Sequence, residues 1–325
     1  MTTKYTIAVL GAGAWGCAVA KLLSENGHRV CLWCYEEEVA NSINTHHVND
    51  LYLPKICLPK ALTVTTDLNK AVADAAYVFE AIPVKFLRSM CLSIDKKNVL
   101  QKTWIVLSKG LEDDTLMLPS QIIQDVFCLA NIAVVSGPNF AAEVCSQVFT
   151  GTVVASSDAA TIKNVSALLK NDWFKIYASP DPIGIQITGA FKNIIALGMG
   201  IAHGGDIDGY NTRSLILSRG LEEMAILSAY WGGTKDSAYS LAGIGDLFLT
   251  CTGTLSKNLR AGIMVGQGQS IDAITEKFPT LPEGFNTVKA LYALATKNNL
   301  DLPLCVSIYR CIYQQKSASL LLAAL

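Results

Sequence analysis

The chain has 325 residues, of which 51% are hydrophobic and 16% are charged, and its formal net charge is −1. A chain of this length is expected to form two domains with large buried cores. The near-neutral charge, without a basic block, excludes a protein whose main partner is nucleic acid.

The first apolar segment is interpreted as a β-strand, 5–10, that turns into a helix over 15–26. The same residues are compatible with a signal peptide, but a leader does not need three glycines at dinucleotide spacing. The connecting turn reads Gly11-Ala12-Gly13-Ala14-Trp15-Gly16. Between a strand and a helix, these glycines favour a tight turn, close backbone approach to a pyrophosphate and close helix–strand packing. The helix N-terminus then faces the negative charge. We therefore predict a dinucleotide site on Gly11, Gly13 and Gly16.

The second predicted strand, 29–33, ends where such folds select between NAD and NADP. A carboxylate at position 34 would indicate NAD and a nearby arginine NADP, but Cys34 stands there. Tyr35 can lie against the adenine. Glu36 either reaches the ribose hydroxyls or begins a solvated acidic run with Glu37 and Glu38, and we favour the solvated run. The sequence thus leaves open whether NADH or NADPH is preferred.

Ten cysteines with irregular spacing do not indicate a disulfide framework in a chain of this size. Cys31 and Cys34 form C-x-x-C, but residues three apart on a strand face opposite sides of the sheet. We expect buried thiols in a reducing, cytoplasmic compartment and no metal site. His203, Asp206 and Asp208 are interpreted as part of a glycine-rich loop between helices.

Further strands are predicted at 77–81, 103–107, 132–135, 151–155 and 174–177. Their alternation with helical patterns is typical of a doubly wound, mostly parallel α/β sheet of the Rossmann type. Lys109 and the segment Ser136-Gly137-Pro138-Asn139 follow two of these strands. Carboxyl ends of parallel strands line the ligand crevice of such sheets, so Lys109 is expected to face it.

After position 181 the strand signals stop, and apolar stripes at helical spacing follow at 213–231, 285–297 and 304–313, with a packed helix end at 320–325. We predict a dinucleotide-binding domain over 1–181 and an all-α substrate domain over 182–325. Lys192 interrupts the otherwise nearly uncharged segment 187–199 at their junction, where a substrate cleft is expected. No uncharged run approaches the about 20 residues that span a bilayer, so no membrane span is expected. The apolar stripes favour a homodimer through the helical domain.

Several motifs are more specific than a generic dinucleotide fold requires, and their order and spacing along the chain are informative. They are Ser108-Lys109-Gly110-Leu111-Glu112, Ser136–Glu143, Gly189–Ile194, Gly243-Ile244-Gly245-Asp246-Leu247, Ser256-Lys257-Asn258 and Glu283-Gly284. Together they closely resemble the bacterial NAD(P)-dependent glycerol-3-phosphate dehydrogenase family over essentially the whole chain. The resemblance implies reversible hydride transfer between the nicotinamide and dihydroxyacetone phosphate, giving sn-glycerol 3-phosphate for glycerophospholipid synthesis.

The resemblance also implies roles for individual residues. Lys192 matches the catalytic lysine, the general acid in reduction and base in oxidation, and Lys109 matches a second substrate lysine. Asp246 would orient one of these ammonium groups, although it could also cap a helix beginning at Leu247. The expected substrate contacts are Lys109, Gly137, Asn139, Lys192, Asp246, Ser256, Lys257 and Asn258. The expected cofactor contacts, besides the three glycines, are Ala14, Trp15, Tyr35, Lys109, Ala141, Lys257, Leu281 and Glu283.

Four positions depart from the family's common pattern. Ala14 stands where serine is frequent, Asn139 where serine or threonine is usual, and Phe191 where a smaller aliphatic residue is usual. Lys257 replaces an arginine, so phosphate would be met by a point charge without the two-pronged guanidinium contact. None of these changes removes a charge that the mechanism needs, and their expected effect is on substrate affinity.

Two other functions are compatible with parts of this pattern. A related two-domain reductase of a 3-hydroxy acid or ketopantoate also pairs a dinucleotide fold with a junction lysine. Such an enzyme recognises a carboxylate and has no reason to contain Ser256-Lys257-Asn258. A non-catalytic NAD(P)H sensor has no need of both Lys109 and Lys192.

Overall fold

The computed structural model describes residues 4–128, 131–253, 256–278 and 281–325. The chain forms two compact units. Unit 1 comprises Met1–Lys109 and Pro119–Pro182, and unit 2 comprises Gly110–Leu118 and Ile183–Leu325. The assignment of 110–118 to unit 2 was not predicted. It follows from Leu111 and Leu118, which are buried in the apolar core of that unit.

Unit 1 contains an eight-stranded sheet with helices between its strands. Its strands are β1 (Thr6–Leu10), β2 (Arg29–Trp33), β5 (Thr63–Thr65), β6 (Tyr77–Glu80), β7 (Thr103–Val106), β8 (Ile132–Ser136), β9 (Thr150–Ala155) and β10 (Phe174–Ser179), and a separate hairpin pairs β3 (Val48–Asn49) with β4 (Leu53–Cys57). Its helices are α1 (Ala14–Glu25), α2 (Glu37–His46), α3 (Leu68–Ala73), α4 (Val84–Leu92), α5 (Pro119–Phe127), α6 (Ala141–Cys145) and α7 (Ala159–Leu169), with a 3₁₀ turn at Lys96–Asn98.

The strand order is β10-β9-β8-β7-β6-β1-β2-β5. Neighbouring strands run parallel except β8 and β9, which pair antiparallel. The doubly wound, mostly parallel sheet expected from the sequence is therefore confirmed. Because the chain proceeds from β1 to β2 and later returns to β6 on the other side of β1, the strand order reverses at β1 and β6. Ligands bind at such switch points, outside the carboxyl ends of the strands.

All seven predicted strands exist, with ends within two residues of those predicted. Six of them are mostly buried, as their apolar β-branched runs indicated, and β10 at the edge of the sheet is mostly half-buried or exposed. Sequence reasoning missed β5 and the hairpin of β3 and β4. These segments are short and contain exposed or half-buried residues, so they lack the buried run that identified the other strands.

Unit 2 is helical in its described residues. Its α-helices are α8 (Pro182–Gly204, which starts at the last residue of unit 1), α9 (Tyr210–Tyr230), α10 (Asp246–Thr252), α11 (Lys257–Gly266), α12 (Ile271–Lys277), α13 (Glu283–Asn298) and α14 (Pro303–Tyr313), with 3₁₀ segments at Lys235–Tyr239 and Ala318–Ala324 and a π-helical turn at Leu241–Gly245. The C-terminal apolar segment, expected as the end of a packed helix, is the second of these 3₁₀ segments, which buries Leu321.

Helix α8 forms the centre of unit 2. It is the one described helix that is long and apolar enough to cross a membrane, and its most apolar window is entirely buried within the protein. The main chains of α8 and α11 are in direct contact where the two helices cross, because glycines occupy the crossing. A methyl group on Gly200 would overlap the carbonyl oxygen of Leu259, and one on Gly262 would overlap that of Leu197. The apolar composition of α8 therefore reflects a densely packed interior.

Candidate active site

The glycine turn after β1 lies at the switch point of the sheet. Gly11 has a φ of 108°, a left-handed conformation that disfavours side chains, and a Cβ there would lie 2.8 Å from the carbonyl oxygen of Ala81. A methyl group on Gly16 would overlap the carbonyl oxygen of Gly11. Glycine at these two positions thus lets α1 start directly against the ends of β1 and β6.

Gly13 differs from its two neighbours in the motif because nothing crowds it. It is the N-cap of α1, and no atom lies within 4 Å of the position that a Cβ would occupy. Ala14 and Trp15, the first helical residues, are half-buried. The open space beside Gly13, facing the amides of a helix N-terminus, fits the pyrophosphate of a dinucleotide.

The end of β2 differs from the solvated acidic run that we favoured. Glu37 and Glu38 are exposed in the first turn of α2, but Glu36 is half-buried and its Oε1 accepts a hydrogen bond of 2.8 Å from the hydroxyl of Tyr52. Tyr35 is 81% exposed, which leaves its ring accessible to an adenine. The partner of Glu36, Tyr52, comes from the unpredicted hairpin region, so no pattern along the chain predicted this contact.

The C-x-x-C cysteines are thiols, as are the other eight cysteines of the chain. The expectation of buried thiols is wrong for Cys57 and Cys128, which are exposed. Burial raises the pKa of Cys34 to about 12 and that of Cys17, one turn into α1, to about 11. Thiols of such high pKa are unreactive at neutral pH. These cysteines act as small apolar residues.

A buried carboxylate that the sequence analysis missed lies at the ends of β6 and β7. Glu80 is fully buried, and its two oxygens accept hydrogen bonds from the backbone N–H of Ile82, at 2.7 Å, and the hydroxyl of Ser108, at 2.8 Å. Ser108 directly precedes Lys109, which is half-buried at the carboxyl end of β7. Glu80 thereby fixes the turn that presents the predicted substrate lysine. The signal was a lone charge inside the apolar run 77–82.

The turn after β8 contains Gly137 and Asn139, both predicted to contact substrate. The Asn139 side chain donates to the carbonyl of Gly151 at 3.0 Å and accepts from the hydroxyl of Thr152 at 2.9 Å. A Cβ on Gly137 would lie 3.1 Å from the Cα of Thr152. Asn139 therefore ties its turn to β9 through its amide group. Ala141, a predicted cofactor contact, is half-buried at the start of α6.

Lys192 and Asp246 form a buried ion pair in unit 2. The Nζ of Lys192 lies 2.5 Å from Oδ1 of Asp246 and 3.0 Å from Oγ1 of Thr250. Asp246 is the first residue of α10 and not its N-cap, which is Gly245, so the capping interpretation is wrong. Thr250 lies one helical turn further along α10, and this i, i+4 spacing could have identified it from the sequence.

The start of α11 contains the predicted phosphate-binding residues. Ser256 is the N-cap of α11 and accepts a hydrogen bond from the backbone N–H of Leu259. Lys257 is exposed. The amide of Asn258 is buried, donating to Oδ1 of Asn193 at 3.0 Å and accepting from the backbone N–H of Gly284 at 3.1 Å. Asn258 therefore joins three helices, α8, α11 and α13.

Two further residues were predicted to contact the cofactor from unit 2. Glu283 is exposed at the start of α13, and Leu281 is half-buried just before it. Asn258 holds this helix start next to that of α11 through Gly284. Because Lys192 and Asn193 are adjacent on α8, unit 2 brings together the lysine, its acidic partner and the first turns of α11 and α13. The glycine turn, Tyr35, Lys109, Gly137, Asn139 and Ala141 belong to unit 1.

These features define a class of protein. A Rossmann-type sheet with an open glycine at its switch point can bind a dinucleotide, and a buried lysine held by a carboxylate can serve as a proton donor to a reacting oxygen. A two-domain, nicotinamide-dependent dehydrogenase has this combination.

Comparison with known proteins identifies the family. Residues 6–162 match the sequence profile of the NAD-dependent glycerol-3-phosphate dehydrogenase N-terminus, and residues 181–323 match that of its C-terminus. The chain belongs to this family, as its motifs predicted.

Relatives of known sequence or structure agree with this assignment. Glycerol-3-phosphate dehydrogenase [NAD(P)+] of Enterococcus faecalis is 38% identical over 316 residues, covering 96% of this chain and 93% of the relative. The enzyme of the same name from Citrifermentans bemidjiense is 37% identical, covering 96% and 94%. The crystal structure of glycerol-3-phosphate dehydrogenase from Coxiella burnetii is similar with a TM-score of 0.90 at 30% identity, and the match covers 98% of each chain.

Proposed function

We propose that this chain catalyses the reversible reduction of dihydroxyacetone phosphate to sn-glycerol 3-phosphate with NADH or NADPH. The observation that supports it most directly is Lys192, whose ammonium group is bonded to Asp246 and Thr250 inside unit 2. Burying a lysine in an apolar helix costs desolvation free energy that an apolar residue would not incur, which favours a functional role for it. Lys192 also lies near the first turns of α11 and α13. In this proposal the start of α11 binds the substrate phosphate, and Lys192 reacts with the ketone of the same substrate.

The proton chemistry belongs to Lys192. Reduction of the ketone develops negative charge on its oxygen, and Lys192 donates the proton that neutralises it; in the oxidation Lys192 accepts that proton from the alcohol. When bound, the nicotinamide supplies the hydride. Asp246 and Thr250 hold the Nζ in one position, so that little reorganisation is needed when charge develops.

Phosphate recognition is assigned to the start of α11. Lys257 contributes a positive charge, and the helix N-terminus contributes oriented amides and the positive end of the helix dipole. Asn258 has its amide engaged with Asn193 and Gly284, so its role is to position Lys257 and the first turn. Ser256 caps the same turn, and Leu281 and Glu283 are assigned to the cofactor.

The cofactor is assigned to a dinucleotide-binding domain of residues 1–181, with the substrate domain at 182–325. Gly11, Gly13, Ala14, Trp15 and Gly16 bind the pyrophosphate, Tyr35 lies against the adenine, and Ala141 contacts the cofactor. Lys109, Gly137 and Asn139 belong to the turns after β7 and β8, and Lys109 acts as the second substrate lysine. We place the enzyme in the cytoplasm as a homodimer through its helical domain, supplying glycerophospholipid synthesis.

Initial rates with purified protein test this function. NADH or NADPH should be oxidised in the presence of dihydroxyacetone phosphate and not with ketopantoate. Faster turnover of ketopantoate would identify a reductase of carboxylate substrates. Binding of a dinucleotide without turnover of either ketone would identify a sensor.

A further inference from the structure

The carboxylate of Glu36 is fixed at the end of β2. Its Oε1 accepts the Tyr52 hydroxyl at 2.8 Å, and its Oε2 lies 3.6 Å from the Sγ of Cys34. Tyr52 uses one of about four acceptor sites that a carboxylate offers, and the thiol is a weak donor. The carboxylate therefore keeps the capacity to accept hydrogen bonds from two hydroxyls of a ribose.

A second set of hydrogen bonds joins this carboxylate to the glycine turn. Asn49, which is 1% exposed, donates to the carbonyl of Ala12 at 2.7 Å and accepts from the backbone N–H of Tyr52 at 3.1 Å. The chain of bonds runs from Ala12 through Asn49 and Tyr52 to Glu36. The position of the carboxylate is thereby set relative to the turn that meets the pyrophosphate.

The charge around Glu36 is negative. Glu36 forms no ion pair among the residues that the structure describes, and Glu37 and Glu38 follow it in the exposed first turn of α2. Glu36 lies two residues beyond Cys34, which occupies the position where a carboxylate in this fold usually meets the 2′-hydroxyl of the adenosine ribose. NADPH has a phosphate on that hydroxyl, and a phosphate beside a carboxylate is repelled.

We propose that Glu36, oriented by Tyr52, is the residue that selects the cofactor, and that it makes the protein bind NADH more tightly than NADPH. The inference rests on the proposed function, since it needs a nicotinamide dinucleotide on the glycine turn. It differs from the interpretation that the sequence alone favoured, in which Glu36 was part of a solvated run.

Direct binding measurements test it without turnover. Dissociation constants of NADH and NADPH would be measured by isothermal titration calorimetry for the wild type and for three variants, Glu36→Gln, Tyr52→Phe and Glu38→Gln. The wild type should bind NADH at least ~10-fold more tightly than NADPH, because juxtaposed like charges cost more than the 1.4 kcal/mol that a tenfold ratio represents. Glu36→Gln should bring the two constants to within about threefold of one another, chiefly by tighter NADPH binding.

The two other variants separate orientation from charge. Tyr52→Phe retains the carboxylate and loses its hydrogen bond, so NADH should bind about 3- to 10-fold more weakly while NADPH remains the weaker ligand. Glu38→Gln removes the same charge from an exposed neighbour and should leave the NADH-to-NADPH ratio within about twofold of the wild type.

The wild-type ratio decides the inference even if a variant fails to fold. Equal constants for the two cofactors, or tighter NADPH binding, would overturn it and leave the proposed function in place. A ratio retained in folded Glu36→Gln would also overturn it. Failure of the wild type to bind either dinucleotide would instead overturn the proposed function and this inference with it.

Discussion

The Nζ of Lys192 lies 2.5 Å from Oδ1 of Asp246, although Lys192 is 8% exposed and Asp246 is 1% exposed. Removing two charges from water is unfavourable, and a buried ion pair is therefore weak evidence of a purely stabilising role. Thr250 supports the pair from the same helix as Asp246, since its hydroxyl accepts a hydrogen bond from Lys192 and donates one to the backbone carbonyl of Asp246. The arrangement stabilises one position of the lysine.

Lys192→Met should lower kcat by ~10²–10⁴, the usual contribution of a general acid, while NADH binding stays nearly unchanged. Because this variant leaves Asp246 buried without its cation, Lys192→Gln should be measured beside it, since its amide N–H can still donate to Asp246. Lys289→Met, which removes an exposed lysine of α13, is the control and should retain activity. Steady-state kinetics and calorimetry suffice, and activity of folded Lys192→Gln within fivefold of the wild type would remove Lys192 from the mechanism.

Lys257→Ala should lower kcat/KM for dihydroxyacetone phosphate about 10- to 100-fold, the value of a hydrogen bond to a charged group. The loss should nearly vanish for dihydroxyacetone, which has no phosphate. Lys257→Arg should retain activity, because arginine offers the same charge with a two-pronged contact. Lys297→Ala, at the far end of α13, is the matched control. Equal losses on the phosphorylated and unphosphorylated ketones would show that Lys257 serves the cofactor or the fold.

Gly13→Ala and Gly16→Ala should differ in what they impair: the first should weaken NADH binding, and the second should lower the stability of the fold. At Gly13 the backbone is ordinary and the space is open, so the variant should change Tm by less than about 2 °C. Its methyl group would occupy the space expected for the pyrophosphate, and NADH should bind at least ~10-fold more weakly. At Gly16 the methyl group overlaps the backbone of Gly11 and should destabilise the fold by about 1–3 kcal/mol or more. Thermal unfolding and calorimetry measure both effects, and unchanged NADH affinity in Gly13→Ala would show that the cofactor does not approach this glycine.

Glu223 should make stability depend on pH. It is fully buried in α9, and its oxygens accept the backbone N–H groups of Leu304 and Cys305 in the first turn of α14. Burial raises its pKa from 4.5 to about 7. Between these values the folded protein retains a proton that the unfolded chain has lost, so the free energy of unfolding falls as pH rises from about 4.5 to 7 and levels off above.

This difference in pKa corresponds to a total fall of about 3 kcal/mol in the free energy of unfolding as pH rises through the range. Chemical denaturation at pH 5 and pH 7.5 should show the wild type losing about 2 kcal/mol more stability than Glu223→Gln between the two values, because part of the change lies below pH 5. Glu222→Gln, one residue away and exposed, should follow the wild type. If the wild type instead becomes more stable than Glu223→Gln as pH rises, the backbone N–H groups of Leu304 and Cys305, together with Arg219, keep the Glu223 carboxylate charged.

The sequence predicted the parts of this molecule that depend on neighbours along the chain. The strand 6–10, the glycine turn and α1 follow from local periodicity and turn chemistry. Contacts with residues distant in sequence were not predicted. Asn258 is expected from its motif to contact substrate, and its amide in addition joins Asn193 to Gly284. Glu36 resembles a solvated charge until Tyr52 is placed beside it, and that placement depends on a hairpin too short to leave a pattern.

Backbone contact between α8 and α11 also limits which substitutions the site can accept during evolution. Lys192 lies on α8 and Lys257 begins α11, and Gly200 and Gly262 allow these helices to touch without intervening side chains. The distance between the helices that carry Lys192, the proposed proton donor, and Lys257, the proposed phosphate-binding charge, is therefore set at this crossing by main-chain atoms, which are the same in every residue. Leucine, isoleucine and methionine can replace one another in the surrounding core without altering that distance. Substitutions among apolar residues in the interior should therefore leave the spacing of the two helices unchanged. A side chain at Gly200 or Gly262 would push the helices apart.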